Sequence, residues 1–370
     1  MPSDPTARFT SDEDGNGHSG IAKPIDTKGE HQSMHCNRHN ALTRRRLVKG
    51  MTIIAAGVAA PSILRVRSAL AAYPDRPVRI VVPNSPGGPS DIIGRLLAAH
   101  LQQAMGGSFV VENRGGGGGN IGMGMVARSE PDGYTLMITT SAYVVNPGLY
   151  KTLPYDPFKD FVPIAEIATT PNVFTVKKEL GVKTLRELVD KVKSDPRKFN
   201  VSTPPIGTTP QLLIEILKVR EGLGGMATVV FTGGGLALKS LLENTVQISC
   251  GALAPAHPQI KAGTIVGLAT SGAKRWHDLP EIPTMSEAGF KDYVFENYVG
   301  LVAPSKTPRE VISAVEKATL NILSDPGMQA LLVKSGFNVE ARGSKGHAER
   351  IAKEVPMYRD IIGQAGIAKI

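Results

Sequence analysis

Four loops of this chain combine glycine with polar side chains just before a predicted helix. Glycine lets the backbone approach a ligand closely, and a helix N-terminus presents unpaired N–H groups and a partial positive charge. Such loops can bind a small anion without a cationic side chain. They contain no His, Cys or Lys, which favours binding over catalysis. The four loops are residues 83–91, 112–122, 202–210 and 231–235.

The first loop, Pro83 to Asp91, follows a predicted strand and contains two adjacent glycines. Open parallel sheets bind ligands at the carboxyl ends of their strands, so this position suits an anion site. The alternative is an ordinary strand–helix turn in which Ser90 or Asp91 is the N-cap. Asp91 itself has two interpretations, a helix cap or an acceptor for a ligand hydroxyl or ammonium group. A negative charge so close to a bound anion favours the cap.

The second loop contains a glycine pattern typical of dinucleotide-binding proteins. Gly117, Gly119 and Gly122 spell G-x-G-x-x-G between a predicted strand and a predicted helix. A dinucleotide site also needs an acidic residue near the end of the next strand to hold a ribose. That strand ends in Thr139-Thr140-Ser141, without a carboxylate. We therefore do not predict dinucleotide binding, and no cofactor is expected.

Catalytic and metal-binding motifs are absent from the sequence after residue 71. It has no G-x-S-x-G, H-E-x-x-H or G-x-x-x-x-G-K-S/T pattern. Its histidines, His100, His257, His277 and His347, are isolated along the chain. The two cysteines of the whole chain, Cys36 and Cys250, exclude a disulfide scaffold and a Cys-based zinc site. We predict no metal site and no enzyme. The alternative kept open is a periplasmic enzyme acting on a small carboxylate or ester through Asp91 or His257.

The first 71 residues resemble a leader and an export signal. Residues 1–42 are polar without hydrophobic periodicity, which predicts a disordered leader. Residues 43–49, Thr-Arg-Arg-Arg-Leu-Val-Lys, resemble the twin-arginine signature. The apolar run of 15 residues that follows is too short to span a bilayer, and Ser68 to Ala71 suits signal cleavage. Residues 43–71 are therefore predicted to be a twin-arginine-type signal peptide, with a membrane anchor or a buried helix as the alternatives. The start codon is either Met1 or Met34.

The net charge of the whole chain, +9, does not indicate nucleic-acid binding. Residues 1–71 hold 10 of the 42 Lys and Arg and 6 of the 33 Asp and Glu. The remaining 32 basic and 27 acidic side chains give a net charge of +5 and form no basic stripe. Nucleic-acid recognition needs a clustered basic surface, so no nucleic-acid partner is predicted. A cytoplasmic nucleotide-binding regulator is a further alternative, which the export signal contradicts.

From Tyr73 onward, predicted strands and helices alternate. This order predicts an α/β fold with a largely parallel sheet. About 300 residues are many for a single open sheet, so we expect two lobes, each with its own sheet. The predicted strands are residues 78–82, 109–112, 134–139, 199–202, 229–231, 247–250 and 265–269, with 293–302 extended. The predicted helices are residues 90–105, 120–128, 183–194, 208–220, 236–243, 308–323, 327–334 and 346–363.

A series of short motifs follows in a fixed order from about Tyr73 to the C-terminus. The motifs are residues 73–79 (YPDRPVR), 86–91 (PGGPSD) with Arg95, 112–115 (ENRG), 131–136 (PDGYTL), 146–147 (NP), 159–161 (KDF), 260–263 (IKAG), 283–289 (PTMSEAG) and 303–304 (AP). Together they resemble the tripartite tricarboxylate transporter receptor family, also called Bug-type extracytoplasmic solute-binding proteins.

The resemblance implies a periplasmic binding protein whose two lobes close like a flytrap on a small organic carboxylate. Lobe one would comprise residues 73–172 and 291–370, and lobe two residues 173–290, each lobe a mainly parallel sheet flanked by helices. The hinge would lie near Asn172 and Phe290. The ligand-binding residues carried over from the family are Ser85, Pro86, Gly87, Gly88, Ser90, Asp91, Thr140, Ser141, Ser202, Thr203, Gly207, Thr208, Thr209, Gly233 and Gly234.

The resemblance also implies partners and a compartment. The receptor would be a periplasmic monomer that delivers its ligand to membrane transporter subunits or to a sensor. Three positions depart from the family pattern: Gln211 replaces a frequent His, residues 231–233 (FTG) replace Tyr-Lys-Gly, and Tyr298 replaces a Trp. These departures leave the identity of the carboxylate open.

Overall fold

The computed structural model describes residues 73–370. The predicted leader, residues 1–42, and the predicted signal peptide, residues 43–71, lie outside the described residues. Within 73–370, ten strands and ten helices follow one another. The strands are β1 (Val78–Val82), β2 (Phe109–Asn113), β3 (Thr135–Ile138), β4 (Phe161–Val176), β5 (Asn200–Thr203), β6 (Ala227–Val230), β7 (Ile248–Ala252), β8 (Val266–Thr270), β9 (Glu296–Pro304) and β10 (Asn338–Gly343). The helices are α1 (Pro89–Met105), α2 (Asn120–Ala127), α3 (Ser141–Leu149), α4 (Leu185–Ser194), α5 (Thr209–Glu221), α6 (Gly234–Leu242), α7 (Leu253–Lys261), α8 (Arg309–Ser324), α9 (Pro326–Lys334) and α10 (Ser344–Gln364).

The strands form a sheet with the order β2-β1-β3-β9-β4-β7-β5-β6, and β8 and β10 also pair with β4. At one end β1 is parallel to both β2 and β3, and at the other end β5 is parallel to both β6 and β7. The central strands β4 and β9 are antiparallel to each other and to their other partners. The predicted α/β class is confirmed, with parallel pairing in the outer parts of the sheet and antiparallel pairing in its centre.

Strand β4 joins the two outer parts of the sheet. It has 16 residues and is buried along almost its whole length. Its residues up to Pro171 pair with β9, and those from Asn172 onward pair with β7. The chain therefore passes from one part of the sheet to the other at Asn172, where the lobe boundary is predicted. The division into two lobes stays a prediction.

Helix α1 follows from a simple apolar pattern. Ile93, Leu97 and Leu101 recur every four residues, so they share one face of the helix, and all three are buried. The helix begins at Pro89, and its N-cap is Gly88 rather than Ser90 or Asp91. Proline suits the first helical position because its missing N–H would be unpaired there in any case.

Helix α4 begins with a capping box formed by Thr184 and Glu187. The Thr184 hydroxyl accepts a hydrogen bond from the Glu187 N–H at 3.1 Å. The Glu187 carboxylate accepts from the Lys183 N–H at 2.7 Å, one residue before the N-cap. The two side chains thus satisfy free N–H groups on both sides of the helix start.

The glycine pattern of the second loop serves packing. Gly117, Gly118 and Gly119 all have positive φ angles, which L side chains rarely adopt. Gly122, in α2, lies against the backbone of the neighbouring loop. A Cβ atom on Gly122 would stand 2.5 Å from the Arg114 carbonyl oxygen and 3.1 Å from the Pro83 Cα. The pattern therefore lets α2 pack directly on the end of β1.

We predict that Gly122→Ala destabilises the protein by about 1–3 kcal/mol, because the added methyl group must displace the backbone. Gly363→Ala is the matched control, since Gly363 is also helical and has no atom within 4 Å of its Cβ position. Alanine there is expected to stabilise by about 0.5–1 kcal/mol through helix propensity. Urea denaturation measures both effects, and equal stabilities for the two variants would contradict the packing role of Gly122.

Candidate functional site

A small cavity lies where the β1–α1 loop meets the β5–α5 loop. Its volume is about 30 Å³, room for about two water molecules. A larger groove of about 520 Å³ lies between α5 and α10, but its wall contains no helix N-terminus. The wall of the small cavity is formed by Asn84, Gly88, Pro89, Ser90, Thr140, Ser141, Pro204, Pro205, Thr208, Pro210, Gly234, Ala252, Asn297, Tyr298 and Val299.

Five helices begin at the small cavity. Gly88, Thr140, Thr208 and Ala252 are the N-caps of α1, α3, α5 and α7, and Gly234 is the first residue of α6. Each helix start carries N–H groups without an intrahelical partner and a partial positive charge of about half a unit. Within residues 73–370, the wall contains no charged side chain. The positive potential of the cavity therefore comes from the backbone, and it suits an anion.

Asp91 lies behind the cavity and not in its wall. It is 4% exposed, and its carboxylate accepts hydrogen bonds from the Gly87 N–H at 3.0 Å, the Arg95 guanidinium at 3.1 Å and the Asn113 amide at 3.0 Å. Burial raises the pKa of Asp91, but these hydrogen bonds outweigh burial and hold the pKa below its usual range. Asp91 is thus an ionised group that fixes the glycine loop.

Loops from the two outer parts of the sheet meet beside the cavity, at residues 85–87 and 232–235, which we call the lip. The Ser85 N–H donates to the Thr232 carbonyl at 3.2 Å, and the Ser85 hydroxyl donates to the Thr232 hydroxyl at 2.9 Å. The backbones also touch: a Cβ on Gly235 would lie 3.1 Å from the Gly87 Cα, and one on Gly233 would lie 2.8 Å from the Ser85 Cβ. The glycines let the two loops close over the cavity.

A buried hydrogen-bond network forms the floor beside the cavity. The side-chain oxygen of Asn297, Oδ1, accepts from the Ser141 hydroxyl at 3.2 Å and from the Thr209 hydroxyl at 3.0 Å. The Thr209 N–H donates to the Ser141 hydroxyl at 3.2 Å, so the starts of α3 and α5 are joined directly. The Asn297 amide donates to the Asn172 side chain on β4. The network therefore ties together β4, β9 and the starts of two helices.

The predicted site residues fall into four groups. Gly88, Ser90, Thr140, Ser141, Thr208 and Gly234 lie in the cavity wall. Ser85, Pro86, Gly87 and Gly233 form the lip, and Thr209 belongs to the buried network. The other four lie outside the wall: Asp91 behind the glycine loop, Ser202 bonded to the Ala237 carbonyl at 2.8 Å, Thr203 fully buried, and Gly207 packed against Asn146.

Several residues of the wall were not predicted as site residues. Asn84 and the prolines at 89, 204, 205 and 210 lie inside the predicted loops, so their position along the chain could have indicated them. Asn297 and Val299 lie on β9, far along the chain from these loops, and Ala252 begins α7, which was not predicted. These three reach the cavity through sheet pairing, which leaves no local signal in the sequence.

His257, the alternative catalytic residue, lies outside the cavity wall. Its Nε2 is 2.9 Å from Oδ1 of Asp278, and the imidazole is buried. Asp91 is fully hydrogen-bonded behind the glycine loop, so neither Asp91 nor His257 lies in the cavity wall. The geometry of the described residues therefore favours binding.

A buried ionic cluster lies on the other side of β9. Arg350 on α10 pairs with Glu166 on β4, and its Nε is 2.9 Å from Oε1 of Glu354. The Arg350 guanidinium also lies 5.0 Å from the ring centre of Tyr298. Burial raises the pKa of Glu354 to about 7, in spite of the opposing effect of Arg350. Burial likewise lowers the pKa of His347 to about 3, so this imidazole is neutral at physiological pH.

With this geometry in view, the sequence was compared with known families and structures. The profile of the "Tripartite tricarboxylate transporter family receptor" matches residues 93–367. The chain belongs to this family. Among the described residues, no helix is long and apolar enough to cross a membrane. The protein is therefore a solute-binding receptor of a periplasmic family, as the motifs indicate.

Solved structures of the receptor family share the fold. "Structure of periplasmic binding protein BugD" has 32% identity and a TM-score of 0.77, covering 80% of this chain and 100% of that one. "R. palustris Rpa4515 with adipate" gives the same four values. MatC from Rhodopseudomonas palustris with bound malate has 28% identity and a TM-score of 0.74, covering 78% of this chain and 99% of that one. The predicted family and architecture are confirmed.

The raised pKa of Glu354 predicts a pH dependence of stability. An unperturbed Glu titrates at 4.5, so in this window the folded protein binds a proton that the unfolded chain releases. The contribution of Glu354 to the free energy of unfolding should therefore fall as pH rises from about 4.5 to about 7, by at most roughly 3 kcal/mol at 1.4 kcal/mol per pKa unit. The lowered pKa of His347 acts in the opposite direction, because below about pH 6.5 the unfolded chain binds a proton that the buried imidazole does not. Glu354→Gln should remove this part of the pH dependence.

Glu349→Gln is the control, because Glu349 is exposed on the same helix and should leave the pH profile unchanged. Urea denaturation from pH 5 to pH 8 measures the three proteins. The comparison uses the slope of the free energy of unfolding against pH and not its absolute value, because Glu354→Gln also alters the contact with Arg350 at every pH. Parallel profiles for wild type and Glu354→Gln would refute the assignment.

Proposed function

We propose that this receptor captures a small organic carboxylate between two lobes and delivers it to a tripartite tricarboxylate-type membrane transporter or to a sensor. The observation that supports this proposal most directly is the cavity at which five helices begin and whose wall holds no charged side chain. Backbone N–H groups in such a cavity are suited to carboxylate oxygens, which only accept hydrogen bonds. The adipate and malate in the two related structures support the same ligand class.

The energetics of this design are consistent with a transport receptor. A hydrogen bond to a charged group contributes about 1.5–3 kcal/mol. Two to four such bonds, less the cost of ordering and desolvation, correspond to a dissociation constant in the micromolar range, at about −8 kcal/mol. A receptor with this affinity binds its solute and can still release it to a partner.

Capture requires the two predicted lobes to separate. Lobe one comprises residues 73–172 and 291–370, and lobe two comprises residues 173–290. A cavity with room for about two water molecules is smaller than any dicarboxylate. Opening would break the Ser85–Thr232 contact at the lip and the Ser141–Thr209 contact at the floor. Movement about Asn172 and Phe290 would do this. The chain crosses between the two parts of the sheet at Asn172, and it returns between β8 and β9, a segment that contains Phe290.

Gly88→Val tests the site. A Cβ on Gly88 would lie 3.7 Å from the Gly234 N atom, which is an ordinary contact. The two further methyl groups of valine must enter the cavity or the space between the loops. We expect the fold and melting temperature to survive while carboxylate binding is lost. A thermal-shift screen of mono-, di- and tricarboxylates, followed by calorimetry of the best ligand, measures this.

Gly224→Val is the matched control, because Gly224 has no atom within 4 Å of its Cβ position and lies outside the cavity wall. It should bind like the wild type. If Gly88→Val keeps the wild-type affinity, the ligand lies elsewhere. If the wild type consumes a ligand that raises its melting temperature, the receptor interpretation gives way to an enzyme.

Export through the twin-arginine route is proposed from residues 43–71. The double substitution Arg44→Lys/Arg45→Lys should keep the protein in the cytoplasm, because that route requires the arginine pair. Cell fractionation measures the periplasmic fraction of the full-length chain. Arg65→Lys/Arg67→Lys, which leaves the signature intact, serves as the control. A periplasmic fraction unchanged by the first pair would contradict this route.

A further inference from the structure

Asn84 is an incompletely paired polar side chain in the wall of the cavity. It lies two residues after the end of β1 and is 9% exposed. Its backbone carbonyl accepts from the Asn113 amide at 3.1 Å, which fixes the residue at the base of the glycine loop. Its side-chain Nδ2 lies 3.4 Å from the Ser90 hydroxyl, whereas Oδ1 is buried and has no partner among residues 73–370. A buried acceptor without a partner is unfavourable, so a ligand that supplies a donor would gain affinity.

Four other polar side chains of the wall are bonded within the protein. Thr140 accepts from the Ala142 N–H at 3.2 Å, and Thr208 donates to the Pro205 carbonyl at 2.7 Å. Ser141 and Asn297 belong to the buried network. Among the polar side-chain atoms of the wall that the structure describes, Asn84 Oδ1 and the Tyr298 hydroxyl are the buried ones left unpaired. The hydroxyl can donate to a ligand oxygen as well as accept, whereas Asn84 Oδ1 can only accept.

The missing partner is a hydrogen-bond donor, and a ligand that displaces water from the cavity must supply it. A carboxylate has only acceptor oxygens and cannot fill this role. An ammonium group would bring a positive charge to a cavity at which five helices begin, and the nearby Asp91 carboxylate is already bonded to Gly87, Arg95 and Asn113. A hydroxyl group donates a hydrogen bond without adding charge.

We infer that the cavity selects hydroxylated carboxylic acids, and that Asn84 reads the hydroxyl group through Oδ1. This inference rests on the proposed function, since it assigns a ligand class to the same cavity. It adds a specificity determinant to the carboxylate-binding helix starts. The opposite orientation of the Asn84 amide would direct Nδ2 to a carboxylate oxygen, and the experiment below separates the two.

The test compares ligands that differ only by a hydroxyl group. Calorimetry of the purified protein with malate and succinate, and with 2-hydroxyglutarate and glutarate, gives an affinity ratio for each pair. We expect the wild type to favour the hydroxylated acid by at least about tenfold. Asn84→Leu should bring the ratio close to one, mainly by weakening the hydroxylated acid. Asn84→Ala is a second variant, and the melting temperature checks the fold of both.

Thr270→Val is the control. It removes another buried hydroxyl without a partner, at a residue outside the cavity wall, and should leave the ratio unchanged. Equal affinities for both members of each pair in the wild type would overturn the inference. So would an equal loss for both members in Asn84→Leu, because the amide would then bind the carboxylate. In either case the proposed function stands. If no acid of either pair binds the wild type and the wider carboxylate screen also fails, the proposed function falls and the inference with it.

Discussion

The starts of five helices determine what the cavity can hold. Each of these helices directly follows a strand: α1 follows β1, α3 follows β3, and α5, α6 and α7 follow β5, β6 and β7. The strands within each outer part of the sheet are parallel, so their helices begin at the same edge. Some of their N–H groups are already bonded within the protein, as in the Thr209 and Ala142 contacts, but the partial positive charge of the five helix starts remains. Within residues 73–370 the wall contains no acidic side chain, so a bound anion would balance this charge.

The groups that surround the cavity are also bonded to one another. Thr209 at the start of α5 donates its N–H to Ser141 at the start of α3, and both hydroxyls converge on Asn297. A connected polar network of this kind is rigid when all its members are paired. Because it reaches Asn172, where β4 changes partners, the state of the cavity is linked to the position proposed for the hinge. A ligand bound among these helix starts would shift the balance between open and closed forms through the same contacts.

Local patterns in the sequence account for the outer parts of the sheet and for the glycine loops. The apolar spacing of α1 and the start of α4 predict these helices, and the loop after β1 marks the cavity. Strand β4 could not be predicted in this way, because it is buried on both faces and contains Pro163 and Pro171, so it shows neither alternation nor an uninterrupted apolar run. Asn297 and Asn172 meet across 125 positions of chain. Such contacts depend on the order of strands in the sheet, which a single sequence does not encode locally.

Arginine residues are close to the cavity, yet each is paired with an acid. Arg95 binds Asp91, Arg114 binds Glu112, and Arg350 binds Glu166 behind β9. Each acid largely neutralises the charge of its arginine, so the helix starts contribute most of the electrostatic potential in the cavity. A cationic side chain would attract any anion of suitable size, since its field depends mainly on distance. Backbone N–H groups act only along their own directions, and a ligand must place its oxygens accordingly. A receptor built in this way discriminates by the geometry of its ligand's oxygens more than by charge, and one acceptor such as Asn84 in a wall of donors can then decide between two acids of equal charge.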